Sequence, residues 1–372
     1  MQSVSDTSTT GSSALHGKPV KQPGTVLPRG AVRGSAAYRN IVLALFCSGF
    51  ATFSLLYCVQ PLLPAFAQEF GIGAASASLA LSLSTGFLAA TTVTLLISPW
   101  LMSAFGQRKT YVGLLLVFIA ASLLGGWSEG MGMVIAARVI QGAMTGVIRP
   151  VALEALFMVY PPEKRGLATA IYAMSLGLPL TLASVVGGFL VHDFNWRYVF
   201  FIVLPICVVA ILMGLVFLPD REETGPKPKL DWIGASVLFV AIFALLAALA
   251  NGQRWTWGSA SILWLEAIAL IGTLFFIWWE PRQERPILDL DIFKTREFLA
   301  GSIVLFLFGG AFYGVMYLLP QFMDSILAYS PVTSGILFTP STLVLAVLVP
   351  LVGRLNDKLP PHWISVPALL VA

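Results

Sequence analysis

The side chains best placed to do chemistry lie on one apolar stretch. Arg138, Gln141, Thr145 and Arg149 stand in the run RVIQGAMTGVIR. At about 100° per residue in a helix, the last three fall at about 300°, 340° and 20° from Arg138, so the four share one polar stripe. Val139, Ile140, Val147 and Ile148 lie mostly off it. An arginine in hydrocarbon costs at least about 2.5–3.5 kcal/mol on insertion scales, so the stripe should face the protein interior or water. Two readings follow. The stripe walls a wet cavity, or Arg138 bonds a neighbouring helix and holds the bundle together. Glu154, about 160° round from Arg138, and Glu266 in a later run are the candidates for carrying protons. Glu154 is equally read as a carboxylate reaching headgroup water. Tyr57 and Gln60, three residues apart ahead of Pro61 and Pro64, either line the same cavity or pack locally, with the prolines bending the helix.

Other chemistries find no residues to perform them. Cys47, Cys58 and Cys207 lie within apolar runs, outside any C-x-x-C pair, and read as small packing residues. His16, His192 and His362 are far apart. No nucleophile–base set or metal cluster stands out, so the expectation is a non-enzyme with no cofactor and no metal. A G-x-x-x-x-G-K-[ST] loop is absent, which argues against ATP drive from this chain. The basic residues are scattered between apolar runs rather than clustered on one face, so a nucleic-acid partner is not expected.

The elements that must position these residues are long and oily. Of 372 residues, 57% are hydrophobic and 11% charged, against about 25% charged in soluble domains. Mean hydropathy is +0.85. A membrane helix needs about 20 apolar residues. Runs of that kind cover 41–63, 75–96, 111–127, 131–159, 167–191, 198–218, 232–250, 262–279, 298–319 and 333–352, with a further one opening near Trp363. They are continuous rather than alternating, so they predict helices and not barrel strands. A run that opens and stops part-way predicts a piece of a longer protein.

Lys and Arg set the orientation. With the N-terminus in the cytoplasm, all 22 basic residues fall on the inner side except Arg197 and Arg254 outside and Arg138 and Arg149 within a span. The expected organisation is a flexible cytoplasmic tail over 1–36, rich in Ser, Thr, Gly and Pro, and a six-span bundle over 37–218. A charged, proline-bearing linker follows over 219–230, then two further spans over 231–280 and a second linker over 281–296. A partial second bundle over 297–372 holds two spans and the start of a third. The Ile287, Leu288, Leu290, Ile292 and Phe293 pattern in the second linker could lie on the inner surface.

Two loops repeat. PWLMSAFGQRK (99–109) follows the second span and GRLNDK (353–358) follows the tenth, both short and basic. The second matches G-x-L-x-D-[RK], the loop signature of the major facilitator superfamily. The first keeps the later half of it, with Pro99 for the glycine and Ser103 for the acid. RVIQG (138–142), YPPEKRGLA (160–168), Gly187-Gly188, NWRYVFFIVLP (195–205), LDWIGA (230–235), PILDLDIFKTREFLAGS (286–302), YLLPQFM (317–323) and YSPVTSG (329–335) occur in order. Together with the two extra central spans, they resemble the fourteen-span drug:proton antiporters of the EmrB/QacA group. The chain departs from that group at Leu55, where an acid is usual, and at Ala183 and Ser184, where Gly-Pro is usual.

The resemblance implies an all-α major facilitator fold with an N-terminal six-helix bundle, two extra central helices and an incomplete C-terminal bundle. It implies proton-coupled efflux of amphipathic organic compounds, cationic ones among them, across the inner membrane by alternating access. Its partners would be the lipid bilayer, the small-molecule substrate and protons, and the resemblance leaves open a periplasmic adaptor such as some relatives have. Gly106, Arg108, Lys109, Gly353, Asp357 and Lys358 would form loops locking the inner helix ends, and Gly187 and Gly188 would allow close helix packing. Since Ser103 cannot ionise, Asp357 is the better lock. Leu55 and the altered fifth span leave open a facilitator of another solute, including uptake. A truncated, non-transporting membrane protein is the third reading.

Overall fold

In lipid a chain must pair its backbone N–H and C=O groups within itself. This one does so with helices, and no strand occurs among the described residues. The computed structural model describes residues 36–58, 66, 69–70, 76–161, 165–193, 195–218, 230–283, 286–327, 331–359 and 363. The helices are α1 (Ala36–Cys58), α2 (Ser76–Phe105), α3 (Gln107–Gly126), α4 (Met131–Val159), α5 (Arg165–Asp193), α6 (Tyr198–Phe201) and α7 (Leu204–Phe217). They continue with α8 (Trp232–Trp255), α9 (Ala260–Trp279), α10 (Arg296–Ser325) and α11 (Pro331–Asn356). Among the described residues, seven segments, carried by α1 to α4, by α6 with α7, and by α8 and α9, are long and apolar enough to cross a membrane. The 29-residue α5, 30-residue α10 and 26-residue α11 occupy the runs expected as the fifth, ninth and tenth spans.

Three boundaries differ from expectation, each for a backbone reason. The stretch 99–109 is not a loop. Helix α2 runs through Pro99 to Phe105, and α3 starts at Gln107. Proline removes one N–H but leaves the following turns free to continue. The break is Gly106 alone, at φ 81°, where a side chain would be strained. Likewise α11 continues to Asn356, so only the end of GRLNDK leaves the helix. The expected sixth span is two helices, with Pro205 in the first turn of the second, where its missing N–H does no harm.

Lipid tails are as apolar as leucine, so helices associate through close packing and interhelical hydrogen bonds. Gly142 and Gly146 of α4 supply the closest approach. A Cβ on Gly142 would collide with the Phe87 carbonyl oxygen of α2, and one on Gly146 with that of Thr91. The Thr91 hydroxyl donates to the Gly142 carbonyl at 3.0 Å, fastening the contact. The Tyr111 hydroxyl of α3 donates to the Ala44 carbonyl of α1 at 2.9 Å, inside the core. The core of Leu45, Leu55, Leu115, Phe118, Val151 and Phe200 belongs to α1, α3, α4 and α6.

The further pair is attached on one side. Helix α8 packs along α2, and α9 along α8. Asp231 caps α8, accepting from the N–H groups of Ile233 and Gly234 at 3.1 and 3.0 Å. Its other oxygen accepts from Trp279 Nε1 at 2.9 Å, tying the end of α9 to the start of α8. Beyond α9, a 3-10 turn over Leu290–Lys294 carries exposed Ile292 and Phe293, as the linker pattern anticipates. Helix α10 is exposed along most of its described length, whereas α11 packs along α5.

Candidate functional site

The polar stripe of α4 has two environments. Arg138 is 1% exposed. Its Nη1 donates to the Leu55 carbonyl of α1 at 3.1 Å and to Gln141 Oε1 at 3.2 Å. The guanidinium lies over the Phe87 ring of α2, 4.4 Å from its centroid. Gln141 Nε2 donates to the Ser122 hydroxyl of α3 at 3.1 Å, and Ser122 donates to the Phe118 carbonyl at 2.9 Å. Thr145 donates to the Gln141 carbonyl at 2.8 Å. Arg138, Gln141 and Thr145 are all buried, so they link α1, α2, α3 and α4 rather than lining water. A buried charge of this kind needs hydrogen bonds; the Leu55 carbonyl and Gln141 supply two, while Arg138 Nε has none among the described residues.

Arg149 is the exposed member. Its guanidinium stands over Phe53 of α1, 5.6 Å from the ring centroid. Tyr172 of α5 packs its ring beside Gly49, one turn before Phe53 on α1. Gly49 lets α1 and α5 meet there, since a Cβ at Gly49 would press on Ser175 and on the Tyr172 ring. Tyr57 is buried on α1, Glu154 is half-buried on α4 and Glu266 is exposed on α9. The structure therefore does not bring Glu266 to the α4 stripe. Gln60 lies outside the described residues. Gly187 and Gly188 fall within α5, and what packs on them lies outside the described residues too.

The two loop motifs also differ. Near Gly106, the Ser103 hydroxyl turns back to the Trp100 carbonyl of its own helix at 2.9 Å. Gln107 Nε2 donates to the Val151 carbonyl of α4 at 3.1 Å. Arg108 is half-buried and Lys109 exposed. At the other motif, the Asp357 carboxylate accepts from the N–H groups of Gly166 and Leu167 at 2.7 and 3.1 Å. These are first-turn donors of α5, which have no partner within their helix. A Cβ on Gly166 would lie 2.6 Å from the Gly353 carbonyl oxygen, so the two glycines allow the contact. Lys358 is exposed beside it.

One cluster was missed in the sequence. Glu69 accepts from Trp196 Nε1 and pairs with Arg197 at 2.7 Å. Arg197 also donates to the Ser128 carbonyl at 3.0 Å and lies over Trp196, 4.5 Å from the ring centroid. The Trp196 hydrogen bond, followed by Arg197, holds the Glu69 carboxyl below its ordinary range. This clamp joins Glu69 to the α3–α4 connection at Ser128 and to the turn before α6, at the end opposite the basic one. Gly142, which ends RVIQG, and Gly146 four residues on are spaced G-x-x-x-G, the signal in the sequence for this close packing.

Residues 41–372 match the family described as Major Facilitator Superfamily. The chain belongs to it. Among relatives, it is 31% identical over 276 residues to the Multidrug export protein EmrB of Escherichia coli (strain K12), covering 74% of this chain and 54% of that protein. It is 30% identical to the Fatty acid resistance protein FarB of Neisseria gonorrhoeae, with the same coverage. To the Multidrug transporter protein MdtP of Bacillus subtilis (strain 168) it is 31% identical, covering 74% of this chain and 51% of that one. The chain spans about half the length of these relatives. A solved structure of the peptide transporter POT superposes with a TM-score of 0.60 at 16% identity, covering 90% of this chain and 71% of that one. That likeness concerns the fold alone. The chain is thus a multi-pass membrane protein of the major facilitator superfamily, similar to multidrug-type members with extra central spans.

Proposed function

We propose that this major facilitator protein is a secondary transporter that exports amphipathic organic compounds in exchange for protons. It would sit in the cell membrane with its N-terminus and basic loops on the cytoplasmic side, in keeping with the positive-inside rule. The observation that carries the reading is the seam between α5 and α11, closed at the basic end by Asp357 on the first turn of α5. A helix pair from two sets, fastened at one end through a few breakable hydrogen bonds, is what alternating access needs. The rigid first set, knit by Arg138 and Gln141, would rock against the second as one body. Glu154, half-buried on α4, is the proton carrier we favour over the exposed Glu266. The relatives named for multidrug export and fatty acid resistance support an amphipathic substrate.

The test is to reconstitute the full-length protein in liposomes, impose a pH gradient and follow a panel of amphipathic dyes, drugs and long-chain acids. Gradient-driven movement of at least one is expected, and none across the panel would defeat the proposal. One observation favours a second reading. Leu55 is fully buried and offers only its carbonyl to Arg138, at a position where the antiporter group has an acid. A facilitator for uptake would fit that, and the direction of movement in right-side-out vesicles separates the two.

A further inference from the structure

Arg149 is the unexplained charge of the first helix set. By helix rise it lies about 15 Å from the basic end of α4, at about 1.5 Å per residue, well inside the span. An exposed guanidinium at that depth has to face water or a polar guest rather than lipid. Its sequence neighbours Val147, Ile148 and Val151 are buried, so the exposure is particular to this residue. The Phe53 ring centroid is 5.6 Å from the guanidinium carbon, a contact that uses none of the hydrogen bonds of the guanidinium's N–H edge. No described residue accepts a hydrogen bond from that edge. Glu154, the carboxylate nearest in sequence, is half-buried further along α4 and is engaged with a partner of its own.

A second observation points to the same place. Tyr172 is 2% exposed, and its hydroxyl has no hydrogen-bond partner among the described residues. A buried hydroxyl without a partner is destabilising, and most find one. The Tyr172 ring lies beside α1 at Gly49, one turn before Phe53 on that helix, over which Arg149 stands. Three helices therefore converge on an open guanidinium edge, an unused hydroxyl and an aromatic ring. The border of this opening is α5, the helix at the seam with α11. Guanidinium binds a carboxylate through two parallel N–H donors, and a phenol adds a third.

We propose that Arg149 and Tyr172 form a recognition subsite for the carboxylate headgroup of an amphipathic anion, with Phe53 beside the first part of its apolar tail. This rests on reading the chain as a carrier of amphipathic compounds, and it reverses the expectation of a cationic substrate. Among the described arginines within the spans of the first set, Arg138 is engaged in packing bonds, which leaves Arg149 to choose the sign of the guest.

The experiment is equilibrium binding to the full chain in lipid nanodiscs, with empty discs subtracted. Three probes share one tail: dodecanoate, dodecanol and dodecyltrimethylammonium. Dodecanoate should bind saturably and at least about tenfold more tightly than either of the others. Arg149→Gln should lose about tenfold for dodecanoate alone, Arg149→Lys should recover most of it, and Tyr172→Phe should lose about threefold. Size-exclusion profile and thermal midpoint identify a variant that has not folded, and Arg149→Lys then carries the comparison. Equal affinity for the three probes, a preference for the ammonium, an Arg149→Gln variant that binds as the parent does, or no saturable binding of dodecanoate would each overturn the proposal. Gradient-driven movement of neutral or cationic dyes without Arg149-dependent dodecanoate binding removes the subsite and leaves the transporter. Arg149-dependent binding with no flux of any compound leaves the subsite and removes the transporter.

Discussion

Two arginines about three turns apart on one helix face do opposite things, and sequence spacing alone could not separate them. Arg138 was conspicuous because a charge in an oily run needs a reason. Whether that reason was water or a neighbouring helix depended on Leu55, Phe87 and Ser122, which come from other helices. Glu69 shows the reverse case. Nothing local marks it, because Trp196 and Arg197 lie 127 and 128 residues further along. Its lowered carboxyl yields a pH prediction. A carboxyl whose folded value lies below its unfolded one, near 4.5, stabilises above that unfolded value and loses the effect as pH falls through the folded one. The thermal midpoint should therefore hold from neutral pH down to about pH 5 and decline below it, while Glu69→Gln should remove part of that decline. With its side chain 37% exposed, Glu69 should contribute below about 1 kcal/mol, and added salt should shrink the difference. A decline identical in the parent and Glu69→Gln would contradict this.

At the scale of elements, the positions of the helices were readable and their ends less so. Continuous apolar runs dictate helices in a bilayer, which is why the described helices fall on the ten runs, seven of them in segments long and apolar enough to cross a membrane. Motif stretches misled the boundaries, because Pro99 and Gly353 look like loop residues and instead lie within helices. The stretch LDWIGA proved to be structural chemistry, with Asp231 capping α8 and holding Trp279. How α2 and α4 meet was carried by Gly142 and Gly146. A methyl at Gly142 has no room against the Phe87 carbonyl, a backbone atom that cannot swing aside. Gly142→Ala should thus destabilise the protein by about 1–3 kcal/mol through overpacking, seen as a lower thermal midpoint in detergent. Gly132, on the same helix, has nothing within 4 Å of its Cβ position. Gly132→Ala should be neutral or raise the midpoint slightly, since alanine is the better helix former by about 1 kcal/mol. Equal effects at the two glycines would show that packing against α2 is not what Gly142 supplies.

For the whole molecule, the second loop motif matters more than the first. Ser103 bonds its own helix, whereas Asp357 reaches across the seam to a helix of the other set. The repeat in sequence announced two related loops; only the fold reveals that one of them bridges the sets. The bridge is a carboxylate on two free N–H groups at the positive end of α5, so both hydrogen bonding and the helix dipole favour it. A cap of this kind is worth about 1 kcal/mol, within a range of about 0.5–2. Such a sum is small enough for substrate or protons to overcome and large enough to bias a two-state equilibrium about fivefold. Asp357→Ala should therefore populate a form opened at the basic end. Spin labels at Lys109→Cys and Lys358→Cys, both exposed, would report it on a background with Cys47, Cys58 and Cys207 replaced by alanine. The parent should give a dominant short separation, and Asp357→Ala a longer component grown about fivefold relative to it. Asp357→Asn, which keeps an acceptor and drops the charge, should fall between them. If all three distributions coincide, the Asp357 contact is incidental to the seam, and whatever closes the basic end lies in the packing of Gly166 on Gly353.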